Sequence, residues 1–246
     1  MSLLDNTNRL RIGCKRAKTN IMNPQVEFGL ALSNSSPSGT GSYNYNGSFQ
    51  IVVQNLAFQK QVSIWAEKPP GVWKNIDAIY SKPLANNLEL WTAPADDSEG
   101  QFVAKYTVNN TTYWDNNNWA NYQFPQAFDE FAVLAGHDFP IVLGTASMGG
   151  SNFNVEAGVQ DLAFAKVVGV VYTTDSWATV QTAFCNYVWT MKSGLQIWSV
   201  TVPVGTAAEV KFALFYQVLG VEYWDNNFWR NYRVTPTKTA KWGDDP

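Results

Sequence analysis

Short runs in which apolar and polar residues alternate dominate the chain, and helical periodicity is scarce. In residues 102–108 the even-numbered positions are apolar and all the others except Val103 are polar, and residues 212–218 keep large apolar side chains on the same face. Residues 26–30 and 141–145 have a similar pattern. A period of two residues predicts half-buried strands. With turn-forming residues between the runs, about seven or eight short strands per hundred residues predict an all-β fold of antiparallel β-sandwiches.

The chain also repeats itself. The segment VQNLAFQK at residues 53–60 returns as VQDLAFAK at 159–166, and YWDNNNWANY at 113–122 returns as YWDNNFWRNY at 223–232. Between these blocks, the pair Leu90 and Trp91 matches Ile197 and Trp198. Shifts of 106 and 110 residues are too long for a solenoid repeat and have the size of a domain.

We therefore predict two tandem modules, at residues 22–128 and 137–236. Residues 1–21 and 237–246 are polar and are expected to be loose ends.

Aromatic residues make up 15% of the chain, and 11 residues are tryptophans. Because exposed indole rings are costly, this abundance indicates a purpose beyond core filling. Charged residues are only 15%, and the net charge is -3. This balance argues against nucleic acid and acidic membrane surfaces as partners and favours an uncharged ligand. No apolar stretch of about 18 residues occurs, so we expect no membrane span.

The two cysteines, Cys14 and Cys185, lie far apart in the chain. We expect two reduced thiols, although a disulfide is an open alternative. Residues 1–5 lack the basic and apolar regions of a signal peptide, so the expected location is the cytoplasm.

Catalytic chemistry has little basis in this sequence. The one histidine, His137, lies outside the repeat and is expected to be an exposed polar residue rather than a base. A zinc site or a nucleophile–base triad is hard to assemble without a second histidine or a Cys/His cluster. The acidic residues that recur, Asp115 and Asp225, occur once per repeat, whereas glycosidases use a carboxylate pair. We expect no catalytic residue, no metal and no cofactor.

The repeated pattern Trp-Asp-Asn-Asn-x-Trp-x-Asn-Tyr combines flat apolar rings with side-chain amides. A sugar ring has a face of C–H bonds that stacks on an aromatic ring, and its hydroxyls require paired donors and acceptors. Asn supplies both from one uncharged group. The alternative is that the tryptophans are core residues and the asparagines form a turn. The joint occurrence in both copies favours the binding hypothesis.

These blocks resemble carbohydrate-binding module family 21. This is the starch-binding module of fungal glucoamylases and of the glycogen-targeting regulatory subunits of protein phosphatase 1. The resemblance implies two tandem immunoglobulin-like antiparallel β-sandwiches without catalytic activity that bind α-1,4-linked glucose polymers.

The resemblance also implies a set of sugar-contacting residues in each module. In the first module they are Phe58, Lys60, Trp73, Tyr80, Tyr113, Trp114, Asn116 and Asn121. In the second module they are Phe164, Lys166, Trp177, Phe184, Tyr223, Trp224, Asn226 and Asn231.

The copies are not equivalent, because Asp161 replaces Asn55 and we expect a shorter tryptophan loop in the second module. We match Trp177 to the exposed Trp73, and Phe184 to Tyr80. Trp119 and Trp229 could add a stacking ring or pack against the neighbouring module, and we favour exposure.

The leading hypothesis is non-catalytic, bivalent binding of an α-glucan polysaccharide or oligosaccharide. Three alternatives are a regulatory scaffold that carries a protein phosphatase catalytic subunit or glycogen synthase to glycogen, an accessory binding region of a larger amylolytic enzyme, and a small glycosidase. A fourth is a structural protein whose aromatics are all core. A phosphatase-docking motif is not supported, because Gln25 rather than a basic residue precedes Val26, Glu27 and Phe28.

Overall fold

The computed structural model describes residues 25–37, 43–68, 70–95, 100–123 and 132–246. These residues divide into two compact units. One unit comprises the described residues up to Phe139 together with Met191–Ser193, and the other comprises Pro140–Thr190 and Gly194–Pro246. We refer to them as the first and second modules. The described residues contain no helix long and apolar enough to cross a membrane.

The described part of the first module consists of strands. They are β1 (Val26–Pro37), β2 (Tyr43–Gln54), β3 (Lys60–Glu67), β4 (Trp73–Asp77), β5 (Ile79–Pro83), β6 (Leu88–Ala95), β7 (Gln101–Val108), β8 (Thr111–Asp115), β9 (Tyr122–Gln123) and β10 (Ala132–Ala135). One sheet has the order β10-β1-β2-β6-β5, and the other has the order β4-β3-β7-β8 with β9 also pairing β7. All of these pairings are antiparallel.

The second module repeats this arrangement. Its strands are β11 (Ile141–Gly149), β12 (Asn152–Val159), β13 (Lys166–Thr173), β14 (Gln181–Phe184), β15 (Asn186–Thr190), β16 (Gln196–Pro203), β17 (Val210–Val218), β18 (Val221–Asp225) and β19 (Tyr232–Val234). The sheets have the orders β11-β12-β16-β15 and β14-β13-β17-β18, with β19 also pairing β17. The predicted all-β class is confirmed.

Aromatic side chains from both sheets fill the core of the first module. Phe28 of β1 lies 5.1 Å from Phe102 of β7 and 4.5 Å from Tyr122, measured between ring centroids. Phe49 of β2 lies 4.8 Å from Phe102. Phe102, Ala104 and the other even-numbered residues of β7 are buried, as the alternation predicts. The odd-numbered side chains of β7 therefore face outward from the sandwich.

The aspartate of each repeated block joins the two sheets of its module. Asp115 Oδ2 accepts a hydrogen bond from the Phe28 amide at 2.6 Å, and Asp225 Oδ2 accepts one from the Leu143 amide at 2.7 Å. In the second module the hydroxyl of Tyr232 also donates a hydrogen bond to Asp225 Oδ1 at 2.8 Å. The repeated carboxylates are therefore buried structural groups rather than reactive ones.

Two sequence expectations are corrected by the structure. His137 is only partly exposed, because its Nδ1 lies 2.6 Å from the hydroxyl of Tyr122. Residues 237–246 are not loose, because Ala240 forms a β-bridge with Ala146 and the buried Trp242 packs on Phe228. The expectation for residues 1–21 concerns residues outside the described ranges.

Candidate ligand-binding sites

The asparagine-rich turn after β8 exposes a tryptophan. Asn117, Asn118 and Trp119 have φ angles of 52°, 54° and 74°, which is the left-handed region. Asn adopts this conformation at little cost, whereas Trp does so only under constraint. Asn116 supplies the constraint, because its Oδ1 accepts a hydrogen bond from the Trp119 amide at 3.1 Å. The Trp119 side chain is 91% exposed as a result.

This turn forms one wall of an open cleft on the outer face of the β4-β3-β7-β8 sheet. Trp65 pairs with Val103, and the neighbouring Lys105 pairs with Trp114, so these side chains share the outward face. The cleft has a volume of about 420 Å³. We call it the first-module cleft; its lining residues are Trp65, Trp73, Val103, Trp114, Asn116, Trp119 and Asn121.

Two amide atoms supply the polarity of the first-module cleft. Asn116 Oδ1 is engaged by the turn, and Asn121 Nδ2 donates to Gln101 Oε1 at 2.8 Å. Among the described residues no hydrogen bond involves Asn116 Nδ2 or Asn121 Oδ1, so one donor and one acceptor are available. A hydroxyl group, which both donates and accepts, matches this pair.

Lys105 holds two of the cleft tryptophans in place. Its Nζ lies 5.6 Å from the ring centroid of Trp65 and 5.4 Å from that of Trp114. Both distances are within the range of cation–π attraction. The ammonium group therefore orients both indoles from the same face of the sheet.

A second group of side chains surrounds Lys60, whose side chain is only 4% exposed. Its Nζ donates to Asn55 Oδ1 at 2.6 Å and to Glu89 Oε2 at 2.8 Å. Glu89 also accepts from the indole of Trp91 at 3.0 Å. Tyr80 stands edge-on to Trp91, with ring centroids 5.7 Å apart. Lys60 is thus a structural anchor beneath an aromatic pair.

Phe58 lies in the loop that leads into β3, next to this group, and its side chain is 99% exposed. Tyr80 is about half exposed. We call this set the first lysine site; it comprises Asn55, Phe58, Lys60, Tyr80, Glu89 and Trp91.

The second module has the corresponding group around Lys166. Lys166 forms an ion pair with Asp161 and donates to Gln196 Oε1 at 3.0 Å. Gln196 Oε1 accepts from the indole of Trp198 at 3.2 Å. Phe164 is fully exposed, as Phe58 is. With Tyr187, these residues form the second lysine site, comprising Asp161, Phe164, Lys166, Tyr187, Gln196 and Trp198.

The predicted match between Phe184 and Tyr80 is wrong. Tyr80 pairs with Trp91 in the first module, and Tyr187 pairs with Trp198 in the second. Tyr187 also stands edge-on to Trp198 at 5.9 Å, as Tyr80 does to Trp91. Phe184 belongs to the other sheet, where it lies 6.1 Å from Phe215.

The predicted match between Trp177 and Trp73 is also wrong. Trp73 is the first residue of β4 and lines the first-module cleft, whereas Trp177 lies in the turn before β14 and is 6% exposed. Its loop is longer than that of the first module, not shorter: seven residues lie between the paired Ala66 and Lys74, and eight lie between the paired Tyr172 and Gln181.

Two further predicted residues lie away from the cleft. Tyr113 pairs with Tyr106 at a centroid distance of 6.0 Å and packs against the core of the first module. Tyr223 has the same relation to Tyr216 in the second module, also at 6.0 Å. Both tyrosines therefore support the sheet beneath the adjacent tryptophans.

Four ring residues were not predicted as site residues. Trp91 and Trp198 could have been recognised from the sequence, because the dipeptides that contain them recur between the repeated blocks. No sequence pattern indicates Tyr187, since its position depends on a register shift between Tyr187 and Trp189. None indicates Trp65 either, because the second module has Val171 at its position.

Burial shifts several pKa values without creating reactive groups. It raises the pKa of Asp225 to about 6 and that of the Cys185 thiol to about 12. Cys185 is free and buried, and Cys14 lies outside the described residues. No group of three or more His, Cys, Asp or Glu side chains that could hold a metal ion occurs in the described ranges.

A β-sandwich that presents exposed rings and free amides at its surface is a ligand-binding module by class. Within that class, residues 154–235 match the model of carbohydrate/starch-binding module family 21. The first module repeats the aromatic and lysine blocks that lie in or beside this match. The predicted membership of family 21 is confirmed for the matched residues.

Known proteins share parts of this chain. Glucoamylase 1 of Rhizopus oryzae is 40% identical over 110 residues, which are 39% of this chain and 18% of the glucoamylase. Protein phosphatase 1 regulatory subunit 3B of Rattus norvegicus is 34% identical over 83 residues, which are 31% of this chain and 29% of that subunit. The chain thus spans less than a third of either relative.

A solved structure is similar as well. It is the starch-binding domain of Rhizopus oryzae glucoamylase in complex with β-cyclodextrin and maltoheptaose. It is 32% identical, covers 42% of this chain and 95% of that domain, and has a TM-score of 0.33.

Proposed function

We propose that this protein binds α-glucan chains such as starch or glycogen, without catalysing a reaction on them. The first-module cleft carries the proposal. It combines four tryptophan rings with a free amide donor and a free amide acceptor, and it holds no carboxylate. Stacked rings and a donor–acceptor pair fit the C–H face and the hydroxyl rim of a neutral sugar.

The lysine sites extend this function to both modules. Phe58 and Phe164 each carry a fully exposed ring two residues before the lysine of their site. A lone exposed phenylalanine carries a solvation cost that a stacked sugar ring removes. Several weak sites in one chain raise the effective concentration of each, and the combined affinity can exceed that of a single site by about 10²–10⁴-fold.

A non-enzymatic role is supported by the surroundings of the titratable groups. The carboxylates that recur in both modules, Asp115 and Asp225, are buried and hold backbone amides of the first strands. The first-module cleft is lined only by tryptophan, valine and asparagine. These residues supply neither a general acid nor a nucleophile.

The proposal is tested by calorimetric titration of the full chain with β-cyclodextrin. Trp73→Ala should abolish binding at the first-module cleft, and Phe58→Ala should weaken the first lysine site by about tenfold, which is about 1.4 kcal/mol. Leu219→Asn is the matched control. It removes another exposed apolar side chain at a left-handed position, φ 52°, which Asn accepts without strain. Unchanged binding in both site variants would exclude these rings from the mechanism.

A second candidate is a targeting function, in which the modules carry an attached enzyme to a glucan. The similarity to the regulatory subunit of protein phosphatase 1 and to glucoamylase supports it. Co-purification of a phosphatase catalytic subunit, of glycogen synthase or of amylolytic activity with the native protein would support this role. Prolonged incubation of amylose with this protein alone should release no new reducing ends from the amylose.

A further inference from the structure

The second module has a sheet face equivalent to the one beneath the first-module cleft, but in the second module a tryptophan side chain covers it. By strand register, Val171, Ala213 and Trp224 occupy the positions of Trp65, Val103 and Trp114. In the first module these positions line an open cleft, whereas in the second module they form a packed cluster. The residue that completes this cluster is Trp177, whose indole lies against Val171, Ala213 and Trp224.

Hydrogen bonds fix the turn that carries Trp177. The Trp177 amide donates to Thr173 Oγ1 at 3.0 Å, and that hydroxyl donates to Asp175 Oδ1 at 2.7 Å. Asp175 also accepts from the amide of Thr179 at 2.9 Å and from its hydroxyl at 2.7 Å. The first-module loop has no aspartate at this place, since it runs through Lys68, Gly71 and Val72. The indole is therefore held on the sheet by its own turn.

The two polar side chains that line the first-module cleft are retained in the second module, but they are buried there. Asn226 and Asn231 correspond to Asn116 and Asn121, but each is only 4% exposed. Asn226 Nδ2 and Asn231 Oδ1 are buried without a hydrogen-bond partner. These are the two atoms that remain available in the first-module cleft. Buried donors and acceptors are normally satisfied, so an orphaned pair of this kind indicates a ligand site that is closed rather than absent.

We propose that Trp177 is the internal occupant of the second-module cleft, and that it limits the chain to three α-glucan sites. These are the first-module cleft and the two lysine sites. The inference rests on the proposed function, and it assigns Trp177 as the residue that makes the two modules differ. The first module binds through two surfaces, and the second binds through its lysine site alone.

Fluorine NMR of the full chain labelled with 5-fluorotryptophan tests this assignment. Single Trp→Phe replacements assign the resonances, and β-cyclodextrin is the probe. We expect Trp73, Trp91 and Trp198 to shift on titration while Trp177 and Trp224 stay unchanged. Shifts of Trp177 and Trp224 at the same concentrations would overturn the inference and leave the proposed function intact. A titration without a response from any indole would overturn both.

Calorimetric stoichiometry gives an independent readout. We expect three β-cyclodextrin molecules per wild-type chain, and four or two would contradict the inference. Trp177→Ala should add one site, whereas Trp177→Phe, which keeps the cleft filled, should leave three. Asp175→Ala loosens the turn and retains the indole, so it provides an opening variant if Trp177→Ala does not fold. A count of three in a folded Trp177→Ala chain would overturn the inference.

Discussion

Lys60 and Glu89 form an ion pair at 2.8 Å between side chains that are 4% and 12% exposed, and the second module reproduces this pair with its charges rearranged. Lys60 lies between the amide of Asn55 and the carboxylate of Glu89. Lys166 lies between the carboxylate of Asp161 and the amide of Gln196. Each nearly buried ammonium group thus has one carboxylate and one amide, on opposite sides in the two modules.

Because the carboxylate and the amide exchange positions between the modules, we predict that substitutions of Asn55 and Glu89 have strongly non-additive effects on stability. Glu89→Gln alone leaves Lys60 without a carboxylate and should destabilise the first module by about 3 kcal/mol, because an uncompensated charge is left in a nearly buried position. Adding Asn55→Asp recreates the arrangement of the second module and should recover most of the loss. Calorimetric unfolding of the full chain measures both effects.

The single variant Asn55→Asp completes this double-mutant cycle and serves as its control. It places two carboxylates around one lysine and adds a like-charge contact. Additive effects of the two substitutions would contradict the idea that one carboxylate per lysine is required, since a coupled pair must show an interaction energy.

The strand register predicts that Tyr187, and not Phe184, contributes to glucan binding in the second module. Tyr187→Ala removes the partner of Trp198 and should weaken β-cyclodextrin binding at the second lysine site by about tenfold, or about 1.4 kcal/mol. Phe184→Ala, at a similarly exposed position on the other sheet, should leave binding unchanged. In a Trp73→Ala, Phe58→Ala background both first-module sites are weakened, so the second lysine site dominates the calorimetric titration. A larger loss with Phe184→Ala would reverse the assignment.

Trp119 should show opposite effects on stability and binding. Its φ of 74° is costly for a side chain with a Cβ, and the ring is almost fully exposed. Trp119→Gly should therefore raise the stability of the first module by about 1 kcal/mol. The same change should weaken binding at the first-module cleft by about tenfold. Thermal unfolding and titration with β-cyclodextrin measure the two effects.

The matched control for Trp119→Gly is Trp229→Gly in the second module. Its φ is 69° and its cleft is closed by Trp177, so Trp229→Gly should leave the affinity for β-cyclodextrin unchanged. Its ring is only 38% exposed, so the lost burial should offset any gain in stability from relieving the left-handed backbone. Loss of affinity in the control variant would show that the second turn also contacts the glucan.

The raised pKa of Asp225 predicts that the stability of the second module depends on pH. Burial raises its folded pKa to about 6 from an ordinary value near 3.8. Because the folded state binds the proton more tightly, the contribution of this group is greatest below pH 4 and is lost as the pH rises to about 6. The loss amounts to about 3 kcal/mol. Asp225→Asn does not titrate, so the stability of the wild type relative to this variant should fall by that amount between pH 4 and pH 7.

Asp175→Asn provides a control for the pH experiment. Hydrogen bonds from Thr173 and Thr179 lower the pKa of Asp175 to about 2, so this group is ionised in both states above pH 5. The stability difference between the wild type and this variant should be nearly flat from pH 5 to pH 7. An equally flat difference for Asp225→Asn would contradict the raised pKa.

The sequence is sufficient for the architecture because the strand signal is local. Alternation predicts β7 and β17 from the residue pattern alone, and the repeated blocks predict two modules. The repeated Trp91 and Trp198 were visible in the same way, although their role in the lysine sites required the contacts with Glu89 and Gln196.

The remaining site features depend on tertiary structure. Whether a tryptophan covers a sheet or lines an open cleft depends on the turn that holds it, and the Asp175 hydrogen bonds place Trp177 on Ala213. The position of Tyr187 depends on an irregular register between β15 and β16, which no alternation reveals. Trp65 faces outward from a strand whose pattern alone does not distinguish a binding ring from a surface ring.

The central claim is that exposed rings of both modules bind α-glucan, and retention on insoluble starch tests it most directly. The full chain and the variant Phe58→Ala, Trp73→Ala, Phe164→Ala should be compared with the Leu219→Asn control and with a cellulose matrix. We predict that the wild type and the control are retained on starch but not on cellulose. The triple variant should lose at least about 100-fold in apparent affinity, because all three sites are weakened together. Equal retention of the wild type and the folded triple variant on starch would contradict the account.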